Sequence, residues 1–172
     1  MLKNFVRGAV VVIGLSVGWV QGAGAQMPNP YGAAVGVDVA KKLATSAIAE
    51  SKKNGWTVAV AVVDPGGALV YFERIDGTQY ASSDIAVAKA RTAATYKRPT
   101  KLLEEAVASG RQGLLSLPGA VLLEGGIPLV VDGKIIGAVG VSGATSQQDG
   151  VCAQAAINTV TPPAKAPGTV KK

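Results

Sequence analysis

Trp56-Thr57-Val58-Ala59-Val60-Ala61-Val62-Val63 runs directly into Asp64-Pro65-Gly66-Gly67, and then into Ala68-Leu69-Val70-Tyr71-Phe72-Glu73-Arg74. The first eight residues are apolar on both parities and rich in β-branched side chains. That pattern predicts a central strand covered on both faces. Proline presets φ at the second position of a turn and the glycines accept positive φ, so a tight reversal is expected. Residues 68–74 then return as an antiparallel partner. A sheet that turns back on itself within four residues is antiparallel, and this decides the fold class.

Upstream, Ala40, Leu43, Ala44, Ala47 and Ile48 repeat with the spacing of an amphipathic helix over Asp38–Lys53. Asp38 is placed to cap its start, and Asn54-Gly55 to stop it. Downstream, Ser82 or Ser83 can open an alanine-rich helix that reaches about Lys97, and Pro99 ends it. Thr100 can cap a third helix through Ser109. After a leucine-bearing loop over residues 110–119, three short strands are predicted: Ala120–Glu124, Ile127–Val131 and Lys134–Ser142. Asp132-Gly133 joins the last two as a hairpin turn. A closing helix spans Gln147–Val160. The expectation is one α+β domain, with a single five-stranded antiparallel sheet flanked by helices.

The chain has 172 residues with 17 Lys+Arg, 11 Asp+Glu, 22 Gly, one Cys and no His. One domain with a sizeable core follows from the length. The single Cys excludes an internal disulfide framework, and the missing His excludes His-based triads and His-ligated zinc. The net charge of +6 suggests nucleic acid only until it is mapped. Lys3, Arg7, Lys165, Lys171 and Lys172 carry the excess. Without them twelve basic residues face eleven acidic ones. With 5% aromatic residues and no basic face, nucleic-acid binding is not expected.

Lys3 and Arg7 precede an apolar run from Gly8 to Val20, and Ala23-Gly24-Ala25 follows. Charged, apolar and small-residue segments in that order read as a secretory signal over residues 1–25. The run is short for a membrane span, so no stable insertion is expected after cleavage. Export to the periplasm or the extracellular space is expected, with an uncleaved N-terminal anchor as the alternative. Residues 161–172, with three prolines and three lysines, read as a solvated basic tail.

Few residues carry chemistry. Glu104 and Glu105 are adjacent and point about 100° apart on a helix, so they read as a solvated face rather than a catalytic pair. Cys152 lies among alanines and reads as a core thiol. On the alanine-rich helix Lys89, Thr92 and Tyr96 share one face, flanked by Arg91. Such a stripe is either an ordinary solvent face or a seat for a planar, carboxylate-bearing ligand. Gly125-Gly126, Gly137, Gly140 and Gly143 mark either tight helix-on-sheet packing or close approach of a ligand.

Ala59-Val-Ala-Val-Val-Asp64-Pro-Gly-Gly67, Lys89-Ala-Arg-Thr-Ala-Ala94, Gly125-Gly-Ile-Pro-Leu129 and Asp132-Gly-Lys-Ile-Ile-Gly-Ala-Val-Gly-Val-Ser-Gly143 together resemble the GlcG/HbpS family, the haem-degrading domain family. The resemblance spans about residues 35–160. It implies a profilin-like fold, homo-oligomers, and in some members binding of haem or a related tetrapyrrole. On that resemblance Thr92 would lie near the iron, and Asp84 is the nearby candidate for a metal. Lacking His, the chain would have to use Tyr80, Tyr96 or Cys152 as an axial ligand, or none.

Three functions stay open. In an exported haem-type binder, Lys89 and Arg91 meet propionates, Thr92 and Tyr96 lie near the metal or ring, and Gly125 and Gly126 admit the ring. In an isomerase or lyase of a small carboxylated metabolite, Lys89 or Tyr96 is the acid–base group, Arg91 holds the carboxylate, and the Gly125 and Gly126 amides stabilise an oxyanion. A non-catalytic periplasmic accessory or sensor protein is the third.

Overall fold

The computed structural model describes residues 29–160. The expected signal at 1–25 and the tail at 161–172 lie outside the described residues. Along the chain come α1 (Val37–Lys53), β1 (Ala59–Val63), β2 (Leu69–Arg74), α2 (Ser82–Thr95), α3 (Thr100–Ala108), a 3-10 turn (Gln112–Ser116), β3 (Gly126–Val131), β4 (Lys134–Ser142) and α4 (Ser146–Ile157).

All ladders between these strands are antiparallel, and the sheet order is β2-β1-β4-β3. The central strand β1 is buried at every position, as its two-sided apolar pattern predicts. Alternation divides its side chains. Val58, Val60 and Val62 join Val139 and Val141 against α1 and α4. Ala59, Ala61 and Val63 join Ala138 against α2 and its alanines 86, 90, 93 and 94. The sheet is thus covered by α1 and α4 on one face and by α2 on the other.

The two faces are built differently. Large aliphatic side chains space α1 and α4 from the sheet, whereas alanines bring α2 down almost onto its backbone. Gly140 completes that approach. A Cβ there would overlap the Ala86 carbonyl oxygen and lie 2.5 Å from the Ala90 nitrogen.

Among the described residues the sheet has four strands, not the five expected. Residues 120–124 form no strand, because side chains of the helices take backbone hydrogens that a ladder would use. The Val121 N–H donates to Thr92 Oγ1 at 2.9 Å, and the Glu124 N–H donates to the Glu104 carboxylate. Residues near the N-terminus instead meet the sheet: Tyr31 makes a single parallel bridge to Ile135, and the Gly32 N–H donates to the Ile135 carbonyl.

Several expected caps also differ. Gly36 caps α1 and Ala81 caps α2, neither with a side-chain bond, and Asp38 lies inside the first turn. Pro99 precedes α3, which frees Thr100 Oγ1 to accept the Gly126 N–H at 2.9 Å. Helix α4 starts at Ser146 rather than at 147, with Thr145 and Gln148 forming a reciprocal capping box. The expected turns at 64–67 and 132–133 are present, with the Gly67 N–H donating to the Asp64 carbonyl at 3.0 Å and Lys134 paired to Val131.

Because Gly140 meets helix backbone rather than a flexible side chain, Gly140→Ala is expected to lower the unfolding free energy by about 1–3 kcal/mol. Gly113, where an added methyl group would meet nothing within 4 Å, serves as the control. Gly113→Ala should stay within about 0.5 kcal/mol of the parent in urea unfolding.

Candidate functional site

The alanine-rich face of α2 sets the problem that the site solves. Lys89 follows Ala86 on the sheet-facing side, so its chain enters the interior and is 2% exposed. A buried ammonium needs a carboxylate and further acceptors. Asp149, in the first turn of α4 and also 2% exposed, supplies Oδ2 at 2.7 Å from Nζ. The Val141 carbonyl of β4 accepts from Nζ at 3.1 Å, and the Ala144 N–H donates to Asp149 Oδ1 at 3.1 Å. Burial pushes the Asp149 carboxyl above its ordinary range, against the pull of Lys89 and of the Ala144 N–H. One ion pair therefore joins α2, β4 and α4.

Gly125 lies directly over this pair with φ +127°, a conformation that an L side chain rarely adopts. A Cβ there would fall 2.6 Å from the Val141 carbonyl oxygen, 2.9 Å from Lys89 Nζ and 3.0 Å from Asp149 Cβ. On the other side of Gly125 and Gly126 opens a cleft of about 380 Å³. Pro99, Lys101 and Leu102 of the α3 end form one wall, Gly150, Val151 and Gln154 of α4 another, and Glu124 and Ile127 complete it. Leu102 and Val151 are exposed, so apolar surface faces solvent here.

The charged part of the lining is a small network. Lys101 Nζ lies 2.8 Å from Glu124 Oε2 and 3.3 Å from Glu105 Oε1. Those two partners raise the Lys101 pKa, the hydrogen bond to Glu124 most. Glu124 lies low because Gly150 leaves room for its carboxylate on the α4 backbone.

The stripe Lys89, Thr92 and Tyr96 does share one side of α2, and the structure uses all three internally. Thr92 is 1% exposed; its Oγ1 donates to the Ala88 carbonyl at 2.8 Å and accepts from Val121. The Tyr96 hydroxyl donates to the Pro118 carbonyl at 2.8 Å, and Arg91 Nε donates to the Gly67 carbonyl at 3.0 Å. Of the expected ligand residues, Gly125 and Gly126 line the cleft, and Lys89 lies beneath its floor. Arg91, Thr92 and Tyr96 do not line it.

Asp84 is exposed in the first turn of α2, and no group of three or more His, Cys, Asp or Glu among the described residues could hold a metal. Tyr80 is exposed, with the Arg74 guanidinium 5.1 Å from its ring centre. Cys152 is buried, and desolvation followed by the nearby Asp149 and Glu50 charges pushes its thiol up to about 11.

Sequence reading missed Asp149, Lys101, Leu102, Glu124, Val151 and Gln154. One signal was available: Leu102 and Leu103 are adjacent on a helix, so both cannot face the core. Leu103 is buried and Leu102 is left outside.

Two outcomes follow. Lys89→Met leaves a buried carboxylate without its partner and should cost about 3–5 kcal/mol in urea unfolding, while Lys89→Met combined with Asp149→Leu should cost less than either single change. The Cys152 thiol should not react with Ellman's reagent in the folded protein at neutral pH, and should react once per chain in denaturant.

Comparison with known proteins agrees with this architecture. Residues 35–158 match the family model described as "Haem degrading protein HbpS-like". Protein GlcG of Escherichia coli (strain K12) is 46% identical over 110 residues, covering 62% of this chain and 82% of that protein. A crystal structure of HbpS superposes with a TM-score of 0.70 at 31% identity, covering 76% of this chain and 92% of that one. The crystal structure of a PduOC:heme complex gives a TM-score of 0.65 at 30% identity, covering 72% and 93%. With a match that runs from just before α1 to the end of α4, the chain belongs to the HbpS-like family.

Proposed function

We propose that this protein is an exported binder of haem or a related tetrapyrrole, and that the glycine-floored cleft between α3, β3 and α4 is where the ring docks. The observation that carries the reading is a cleft open to solvent whose lining is mainly apolar. Its volume of about 380 Å³ is within the usual range for small-molecule sites. Leu102, Ile127 and Val151 offer flat apolar contact, and the bare backbone of Gly125 and Gly126 lets a planar ring come close. The relatives add chemical direction, since one is solved with heme bound and the family is named for haem degradation.

The lining fits the uncharged edge of the ring. It does not offer an axial bond, because none of the lining residues is His, Tyr, Cys or Met, and the one amine, that of Lys101, is held as a cation by Glu124 and Glu105. Haem iron would supply the redox and ligand-binding chemistry of the bound group. Affinity must then come mainly from apolar burial, at about 25 cal/mol per Å². Binding rather than turnover is the reading favoured, because Lys89 commits its ammonium to Asp149 and Val141. Export rests on the Lys3–Ala25 pattern. Self-association, which the resemblance implies, would use apolar surface outside the cleft, such as the exposed Leu69 and Leu115.

Titration of the protein from Gln26 onward with haemin tests the proposal. A saturable Soret change is expected, and Val151→Glu should weaken it at least about tenfold by placing a charge against the ring. A Soret band that never saturates, or one indifferent to Val151→Glu, sinks the proposal.

A further inference from the structure

The charges around the cleft bear on which edge of a tetrapyrrole enters, an inference that rests on the reading above. Haem has one edge bearing two carboxylates and an opposite edge bearing only apolar substituents. The cation lining the cleft is Lys101, and it is already held by two carboxylates, Glu124 at 2.8 Å and Glu105 at 3.3 Å. Glu124 is only 16% exposed in its side chain and lodged against Gly150, so it cannot readily swing away. Its backbone N–H is bonded by a third carboxylate, that of Glu104. Beneath the floor, Lys89 is matched by Asp149. These groups set two cations against four carboxylates, and both cations are already paired.

A propionate arriving at Lys101 would meet Glu124 and Glu105 at close range, and like charges at such distances repel strongly where water is partly excluded. The uncharged edge meets no such penalty, and the wall it would touch is Leu102, Ile127 and Val151. We infer that the ring enters uncharged edge first, with its carboxylates left in solvent, and that the Glu124–Lys101–Glu105 cluster at the cleft selects this orientation. The carboxylates are then dispensable for binding, and Lys101 acts as part of an acidic selector rather than as an anion receptor.

The test compares iron(III) protoporphyrin IX with its dimethyl ester by Soret titration in the same dilute cosolvent. The wild-type protein and Lys101→Leu are both used, the variant checked by its thermal melt. The ester should bind no more than about threefold weaker than the free acid, and Lys101→Leu should leave the ratio of the two dissociation constants within about threefold of the wild-type ratio. Saturable binding of the free acid with an ester weaker than that overturns the orientation and leaves the tetrapyrrole reading standing. A ratio that shifts further on Lys101→Leu, the free acid losing more than the ester, overturns it equally. If neither porphyrin gives a saturable change, the tetrapyrrole reading falls and the orientation with it. The wild-type arm decides the matter even if the variant fails to fold.

Discussion

Helix α2 rests on the sheet almost backbone to backbone, and the rest of the molecule accommodates that contact. Alanine at 86, 90, 93 and 94 and glycine at 140 remove the side chains that would hold helix and strands apart. Close approach strengthens dispersion contacts across the interface and leaves no room for water. It also means that a long polar side chain on this helix cannot escape by a small rotation. Lys89 is such a side chain. Its burial makes Asp149 necessary, and Asp149 in turn fixes where the start of α4 must lie.

The cleft follows from the same geometry. With the ion pair immediately beneath, position 125 has no space for a Cβ, and the backbone conformation there suits glycine alone. The surface that results is a bare peptide floor with apolar walls contributed by α3, α4 and Ile127. A site that recognises shape through backbone and aliphatic contacts suits a flat, largely apolar guest. The charged groups of the lining gather in one corner, where Lys101 is held between glutamates.

Much of the fold was legible before any coordinates. The amphipathic stripe of α1, the two-sided burial of β1 and the turns at 64–67 and 132–133 are local features, set by residues within a turn or two of each other. The missing strand shows where local reading stops. Residues 120–124 carry β-compatible side chains, yet Thr92 and Glu104 take two of their backbone hydrogens, and nothing near residue 120 in the sequence announces this. Spacing alone puts Lys89, Thr92 and Tyr96 on one face of a helix. Whether that face looks outward or inward is not readable from it, because that depends on what else packs against α2.

Sequence alone therefore settled the helices and four of the five expected strands, the antiparallel class, the glycines that admit close approach, and the motifs shared with the HbpS-like family. Those are consequences of steric and periodic rules that act over a few residues. Three-dimensional packing decided the partner of Lys89, the sealing of Thr92, and the position of the cleft between α3, β3 and α4. The physical reason is desolvation: a charge or a hydroxyl acquires its role from what excludes water around it, and here Lys89 and Asp149 stand 60 residues apart along the chain.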